Sequence, residues 1–181
     1  LFMVGADSGD TPSVLRAHAE QGVANIEKTF FSLSLEEIDA IARAMIEARH
    51  VWIVGFRTGH SFATYLHWQT FQVIEHISVL PQAGQTLAEH IAGMAADDCV
   101  IVFGLRRRVR GIDDIVRQIV GTGAQTLYIT DETVPRQKEP TWHIHCQTPA
   151  PGPLFNHIAV LGLCHLLATR VIEHAGSAGR K

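Results

Sequence analysis

The chain has 181 residues, 46% of them apolar and 18% charged, with a net charge of −3. That is enough chain for one domain with a real core; it is too apolar for a disordered segment, and too acidic for a piece that binds nucleic acid by itself, because a phosphate backbone rewards an excess of Lys and Arg. No run of about 18 uninterrupted apolar residues occurs, and the short apolar start Leu1 to Gly5 lacks the basic flank of a signal peptide, so no segment is expected to span a membrane.

Residues 1–12 are rich in Gly, Asp, Ser, Thr and Pro beyond the first few and read as a linker. Leu15, Ala19, Val23, Ile26 and Phe30 then recur at helical spacing. Ser34 followed by Glu37 forms a capping box, with Leu33 and Ile38 placed as a hydrophobic staple, and opens a helix running to about Arg49. Residues 13–50 are therefore a helical lead-in. From Val51 the texture changes. Val51 to Val54 is a β-rich run ending at Gly55, followed by a helix over about 59–74 and a second strand from His76 to Leu80, stopped by Pro81. Thr86 and Glu89 suggest another capping box before a short helix through Leu87, Ile91 and Met94. A third strand from Cys99 to Phe103 ends at Gly104, and a helix through Ile112, Val116 and Ile119 closes near Gly121 or Gly123. Strands follow at 125–130 and 141–147, then a Pro-rich segment and a final helix from about Phe155 to Ala175, leaving 177–181 as a tail. Strands that alternate with helices and are apolar along their whole length predict an α/β fold: a three-layer, doubly wound, parallel five-stranded sheet over 51–176. Ligands of such sheets sit outside the carboxyl ends of the strands.

Two strand ends carry the chemistry. In the first, Gly55, Arg57, Thr58, Gly59, His60 and Ser61 combine backbone freedom, hydroxyl donors, a cation and a helix N-terminus, which together suit a phosphate or carboxylate. The plainer reading is an ordinary strand-to-helix turn. The second, from Gly104 to Gly111, holds Arg106, Arg107, Arg108 and Arg110, four arginines in five positions. It is an anion-binding loop, a contact for an acidic partner, or a solvated basic turn balanced by Asp113, Asp114 and nearby acids. Like charges so close repel, so counter-charge is expected nearby. His143 and His145 share one strand face, but no third ligand is placed by spacing, and neither a metal nor a cofactor is expected. Glu89 beside His90 admits an acid/base pair, or merely a capping acid next to an ordinary side chain. Cys99, Cys146 and Cys164 lie in apolar runs and read as reduced core residues of a cytoplasmic protein.

With these residues in place, the chain resembles the sugar isomerase (SIS) domain found in sugar-phosphate isomerases and in RpiR/MurR-type transcription regulators. The resemblance runs from about Ala42 to Ala175. It rests on Val51 to Gly55, on Asp97 to Gly104, and above all on Gly123 to Asp131, with its terminal Thr130-Asp131. Residues 15–49 look like the helical lead-in that such regulators place between their DNA-binding and sugar-binding parts. The resemblance implies a flavodoxin-like sheet, sugar-phosphate binding at the strand ends, and homodimers or homotetramers. It further implies DNA contact through an N-terminal helix-turn-helix domain; no basic three-helix unit is found here and the chain does not begin with Met, so it is expected to be the effector half of a longer regulator. The loops depart from the family pattern. The first keeps only Thr58 and Ser61 as hydroxyl residues, and the second has none between Gly104 and Gly111, so arginine replaces hydroxyls and the ligand is expected to be an acid or an altered sugar phosphate. The alternative role, a sugar-phosphate isomerase, needs a base that moves a proton between adjacent carbons; Glu89, His90 and His157 qualify by type alone, and no catalytic residue is assigned.

Overall fold

The computed structural model describes residues 11–178, so most of the expected linker and the end of the expected tail lie outside the described residues. The elements run α1 (Thr11–Phe30), α2 (Leu35–Glu47), β1 (Val51–Gly55), α3 (Thr58–Thr70), β2 (Ile77–Leu80), α4 (Leu87–Ala92), β3 (Cys99–Gly104), α5 (Ile112–Gly121), β4 (Gln125–Asp131), β5 (Trp142–Cys146) and α6 (Ile158–Ala178). The five strands form one parallel sheet in the order β2-β1-β3-β4-β5. Chain order reverses between β1 and β3, which makes the space above those two strands the switch point of the fold.

Side chains alternate across the sheet and both faces are covered, which is why the strands are apolar throughout. Val51, Ile53, Ile101, Leu127, Ile129 and Ile144 face one way and pack with α2, α3 and α6. Val54, Val100, Val102 and Tyr128 face the other way, against Ile91 of α4 and Ile112, Val116 and Ile119 of α5. In α2, Ser34 accepts a hydrogen bond from the Glu37 amide at 3.4 Å, and Ile38, Ile41 and Met45 form the buried stripe. Each such side chain contributes about 1.5–3 kcal/mol by leaving water. By length and composition α6 is apolar enough to cross a membrane. Here it buries Val160, Leu163, Cys164, Leu167 and Val171 in the domain core and packs beside α1, α2 and α3. Cys99, Cys146 and Cys164 are all buried and unpaired.

Three local readings need correction. Thr86 makes no side-chain cap bond, so the second capping box is not formed; the exposed Gln85 amide oxygen instead takes His90 Nε2 at 2.7 Å. α3 stops at Thr70, where the Thr70 hydroxyl donates back to the Leu66 carbonyl (2.8 Å) and the chain turns through Val73 and Ile74. α6 starts at Ile158 rather than Phe155; Asn156 Oδ1 accepts the Ile158 amide at 3.0 Å in the turn that precedes the helix. The face of α1 that docks is largely polar. Gly22, Asn25 and Thr29 are buried there, with Asn25 Nδ2 donating to the Pro149 carbonyl (2.8 Å) and the Gln147 amide to Thr29 Oγ1 (2.9 Å), while Leu15 and Val23 stay 68% and 54% exposed.

Candidate functional site

The two loops flagged in the sequence lie side by side, because β1 pairs directly with β3. In the first, the chain leaves Gly55 so tightly that a Cβ there would sit 2.4 Å from the Gly59 carbonyl oxygen. Gly59 in turn lies against Phe103, which a Cβ would approach to 3.1 Å. Arg57 carries the turn at φ 52°, a left-handed conformation that an L side chain adopts at a cost. Thr58, His60 and Ser61 are exposed on the first turn of α3. Two of the amides at this helix start are used inside the turn: Gly59 donates to the Phe56 carbonyl (2.9 Å) and His60 to that of Arg57 (3.1 Å). The helix end thus offers fewer free donors than its position suggests, while the side chains of Arg57, Thr58 and Ser61 stay exposed.

In the second loop, Gly104 makes room for Tyr128: a Cβ at Gly104 would stand 2.4 Å from the Tyr128 hydroxyl. Arg106 and Arg108 are neutralised by Asp131, which ends β4, and by Glu132 after it; of the acids expected nearby, Asp113 and Asp114 are not their partners. Arg106 donates to Glu132 Oε1 at 2.9 Å, lies 3.4 Å from Asp131 Oδ1 and places its guanidinium over the Phe155 ring at 4.8 Å. Arg108 hydrogen-bonds Asp131 Oδ2 and also reaches the Gly104 carbonyl and Thr133 Oγ1. Asp113 instead meets Gln137, and Asp114 pairs with Arg117. Asp131 has a fully buried side chain. Burial alone would raise its pKa, but the Thr133 amide and hydroxyl and the charges of Arg108 and Arg106 outweigh that and hold the carboxyl below its ordinary range. Glu132 is held low in the same way, by Arg106 and by the Thr148 amide and hydroxyl, both 2.9 Å from its Oε2.

A latch joins the loops. Arg57 Nη1 donates to the Arg107 carbonyl at 3.0 Å, and Arg107 is the second non-glycine residue with positive φ, at 62°. The space between the loops, beside Gly59, Phe103 and Arg106 to Arg108, is only about 10 Å³, so the cleft is closed. All ten residues expected at the site, Gly55, Arg57, Thr58, Gly59, His60, Ser61, Gly104, Arg106, Arg107 and Arg108, lie at the carboxyl ends of β1 and β3. Sequence reasoning missed Asp131, Glu132, Thr133, Thr148 and Phe155 as members of the same neighbourhood, and named His157 by type alone. The Thr130-Asp131 pair at the end of the fourth strand was the available signal, a carboxylate placed where the basic loop needs one. His157 sits 5.7 Å from Phe62, and its buried Nε2 has no hydrogen-bond partner. Burial lowers its pKa, against the charges of Asp131 and Glu132, and keeps the ring neutral. Glu89 and His90 belong to α4, where His90 packs against Trp52.

A family model for the SIS domain matches residues 44–170. None of the curated proteins matches the chain. Among solved structures, the sugar isomerase domain of an RpiR transcription factor from Sphaerobacter thermophilus superposes with a TM-score of 0.76 at 20% identity, over 95% of this chain and 97% of that one. Vibrio vulnificus NanR, complexed with ManNAc-6P, gives 0.73 at 13% identity, over 93% of this chain and 64% of that one. Phosphoheptose isomerase GmhA from Neisseria gonorrhoeae also gives 0.73, at 10% identity, over 90% and 99%. At these identities the likeness shows a shared fold, and the fold serves regulators and isomerases alike.

Proposed function

The chain belongs to the SIS domain family, and we propose that it is the effector-sensing and oligomerisation domain of an RpiR-type transcriptional regulator, taking a sugar phosphate or sugar acid at the carboxyl end of its sheet. The observation that carries this reading is the meeting of Arg57 with the arginine loop above the switch point of the sheet. Thr58, His60 and Ser61 add donors on the same rim, while Gly55, Gly59 and Gly104 keep the backbones close. The NanR chain of the same fold is complexed with ManNAc-6P, which is the reason for choosing this ligand class.

Binding has to open the latch. An incoming dianion offers Arg57 a bidentate partner in place of one carbonyl, and it competes with Asp131 and Glu132 for Arg106 and Arg108. A ligand that prefers the open arrangement shifts the balance between two loop states by its difference in affinity for them. In the full regulator that shift changes how protomers sit together, and with them the helix-turn-helix domains through which DNA is contacted. The exposed stripes of α1 (Val14, Leu15, Val23) and α6 (Ile158, Leu161, Ile172) suit a homodimer or homotetramer contact. The protein acts in the cytoplasm on this reading.

A thermal-shift screen of sugar phosphates and sugar acids, followed by hydrogen exchange with the best ligand, tests the proposal. The expected result is a stabilising ligand that changes exchange at 57–61 and 104–111. A ligand whose protection lies entirely elsewhere contradicts it. One observation favours the isomerase reading: the unpartnered Nε2 of neutral His157 near Glu132 is suited to accept a proton. Solvent deuterium entering a bound sugar phosphate, and lost in His157→Ala, would establish that reading in place of the non-catalytic one.

A further inference from the structure

The His143–His145 pair and Lys28 take no part in the strand-end site, yet they line one groove. It lies along β5, encloses about 440 Å³, and is far roomier than the closed gap between the two loops. Such a volume is in the range of small-molecule sites. Lys28 and Glu37 come to it from the lead-in helices, Arg136 from the loop between β4 and β5, and His145 and Gln147 from the end of the sheet.

Its polar groups are arranged rather than scattered. His143 is buried and fixed: its Nδ1 accepts the Gln137 amide at 2.9 Å, so its Nε2 carries the proton and donates to Thr130 Oγ1 at 2.8 Å. It therefore forms a rigid wall. His145, whose ring centroid is 4.3 Å from that of His143, holds its own orientation through Nε2 to the Val134 carbonyl at 2.7 Å. That leaves its Nδ1 for a ligand. Neither Lys28 nor Arg136 forms an ion pair among the described residues, whereas Arg49, Arg106, Arg108, Arg117 and Arg170 do. Two cations facing one cavity, whose Glu132 carboxylate is already neutralised by Arg106, favour an anion there. The unpaired carboxylate of Glu37 and the Gln147 amide supply acceptors and donors of the kind that hold hydroxyl groups.

We propose that this groove is a second ligand site for a compact polyol bearing a phosphate or carboxylate, its anionic end on Lys28 and Arg136 and its hydroxyls on Glu37, His145 and Gln147. The occupant would touch the lead-in and the sheet domain at once, and so fix the angle between them. It would also be felt at the strand ends, because Glu132 lines the groove while holding Arg106.

The test uses the 181-residue chain and two probes, glucose 6-phosphate and glucarate, with sorbitol as the uncharged control. The His145 ring is followed by NMR in wild type, Lys28→Ala, Arg136→Ala and Arg57→Ala. Lys28 and Arg136 are exposed, so their removal leaves the fold in place. At least one charged probe should move the His145 signals saturably, about tenfold more weakly in Lys28→Ala and Arg136→Ala and unchanged in Arg57→Ala. Response to glucose 6-phosphate identifies phosphate as the anchor, and response to glucarate identifies carboxylate. The proposal is overturned if neither probe moves His145, if sorbitol moves it equally, or if the response survives both groove variants. Loss in Arg57→Ala instead would assign the response to the strand ends. The two sites therefore fail separately.

Discussion

Gly104 has no side chain because Tyr128 occupies the space, and the two residues make a paired expectation. An alanine at 104 would bring its Cβ within 2.5 Å of the Tyr128 ring as well as 2.4 Å from its hydroxyl. Gly104→Ala should cost about 1–3 kcal/mol in urea unfolding, the usual penalty for overpacking. The Tyr128 hydroxyl is buried without a partner, so Tyr128→Phe should be neutral or stabilising, within about 1 kcal/mol. A large loss in Tyr128→Phe would mean that the hydroxyl holds something in solution. His143 gives a second residue-scale expectation, in pH. Its pKa falls from 6.5 to about 4, chiefly through burial, with the charges of His145 and Arg136 adding to it. The unfolded chain takes up that proton below pH 6.5 and the folded chain resists until about 4. The stability from neutral His143 is therefore complete above 6.5 and is lost as pH falls towards 4, by up to about 3 kcal/mol. Asp131 acts in a lower window. Its carboxyl is held below 3.8, so its contribution is present above that value and is lost as the pH drops further. Unfolding curves from pH 7 to 4 should show a slope that His143→Gln flattens; an identical slope in the variant would rule His143 out as its source.

At the scale of elements, α1 is held by a few polar ties together with the half-buried Ile26 and Phe30. Asn25 reaches the Pro149 carbonyl from a nearly closed position, so Asn25→Ala should free α1 before the sheet loosens. Faster hydrogen exchange across 13–30, with β3 and β4 still protected, would show this, at a cost of about 1–2 kcal/mol. Uniform loss of protection would instead mean that α1 is part of the cooperative core. The same helix shows where sequence reading stops. Leu15, Ala19, Val23 and Ile26 have helical spacing and do form a helix, but spacing cannot say whether its stripe meets this domain or another molecule. Strands β1 to β5 were legible because burial on both faces leaves unbroken apolar runs. Ser34 was legible because its partner is three residues away. The neutralisation of Arg106 by Glu132 was not, since 26 positions separate them and only the pairing of β3 with β4 brings them together. Nor could spacing show that the cleft is shut, because Arg57 meets Arg107 across 50 positions.

For the whole molecule, the outward apolar residues of α1 and α6 are expected to meet a second copy. Leu161→Glu or Val23→Glu should shift the chain towards monomer in sedimentation, with the fold intact by circular dichroism. Unchanged association in both variants would place the contact elsewhere. The central claim is that an anionic ligand is held at the carboxyl end of the sheet by Arg57 and the arginine loop. Calorimetric titration of the best sugar phosphate or sugar acid into wild type and Arg57→Ala tests it most directly. Loss of a charge-assisted contact predicts binding about tenfold or more weaker in the variant. Equal affinity in the two proteins would contradict it.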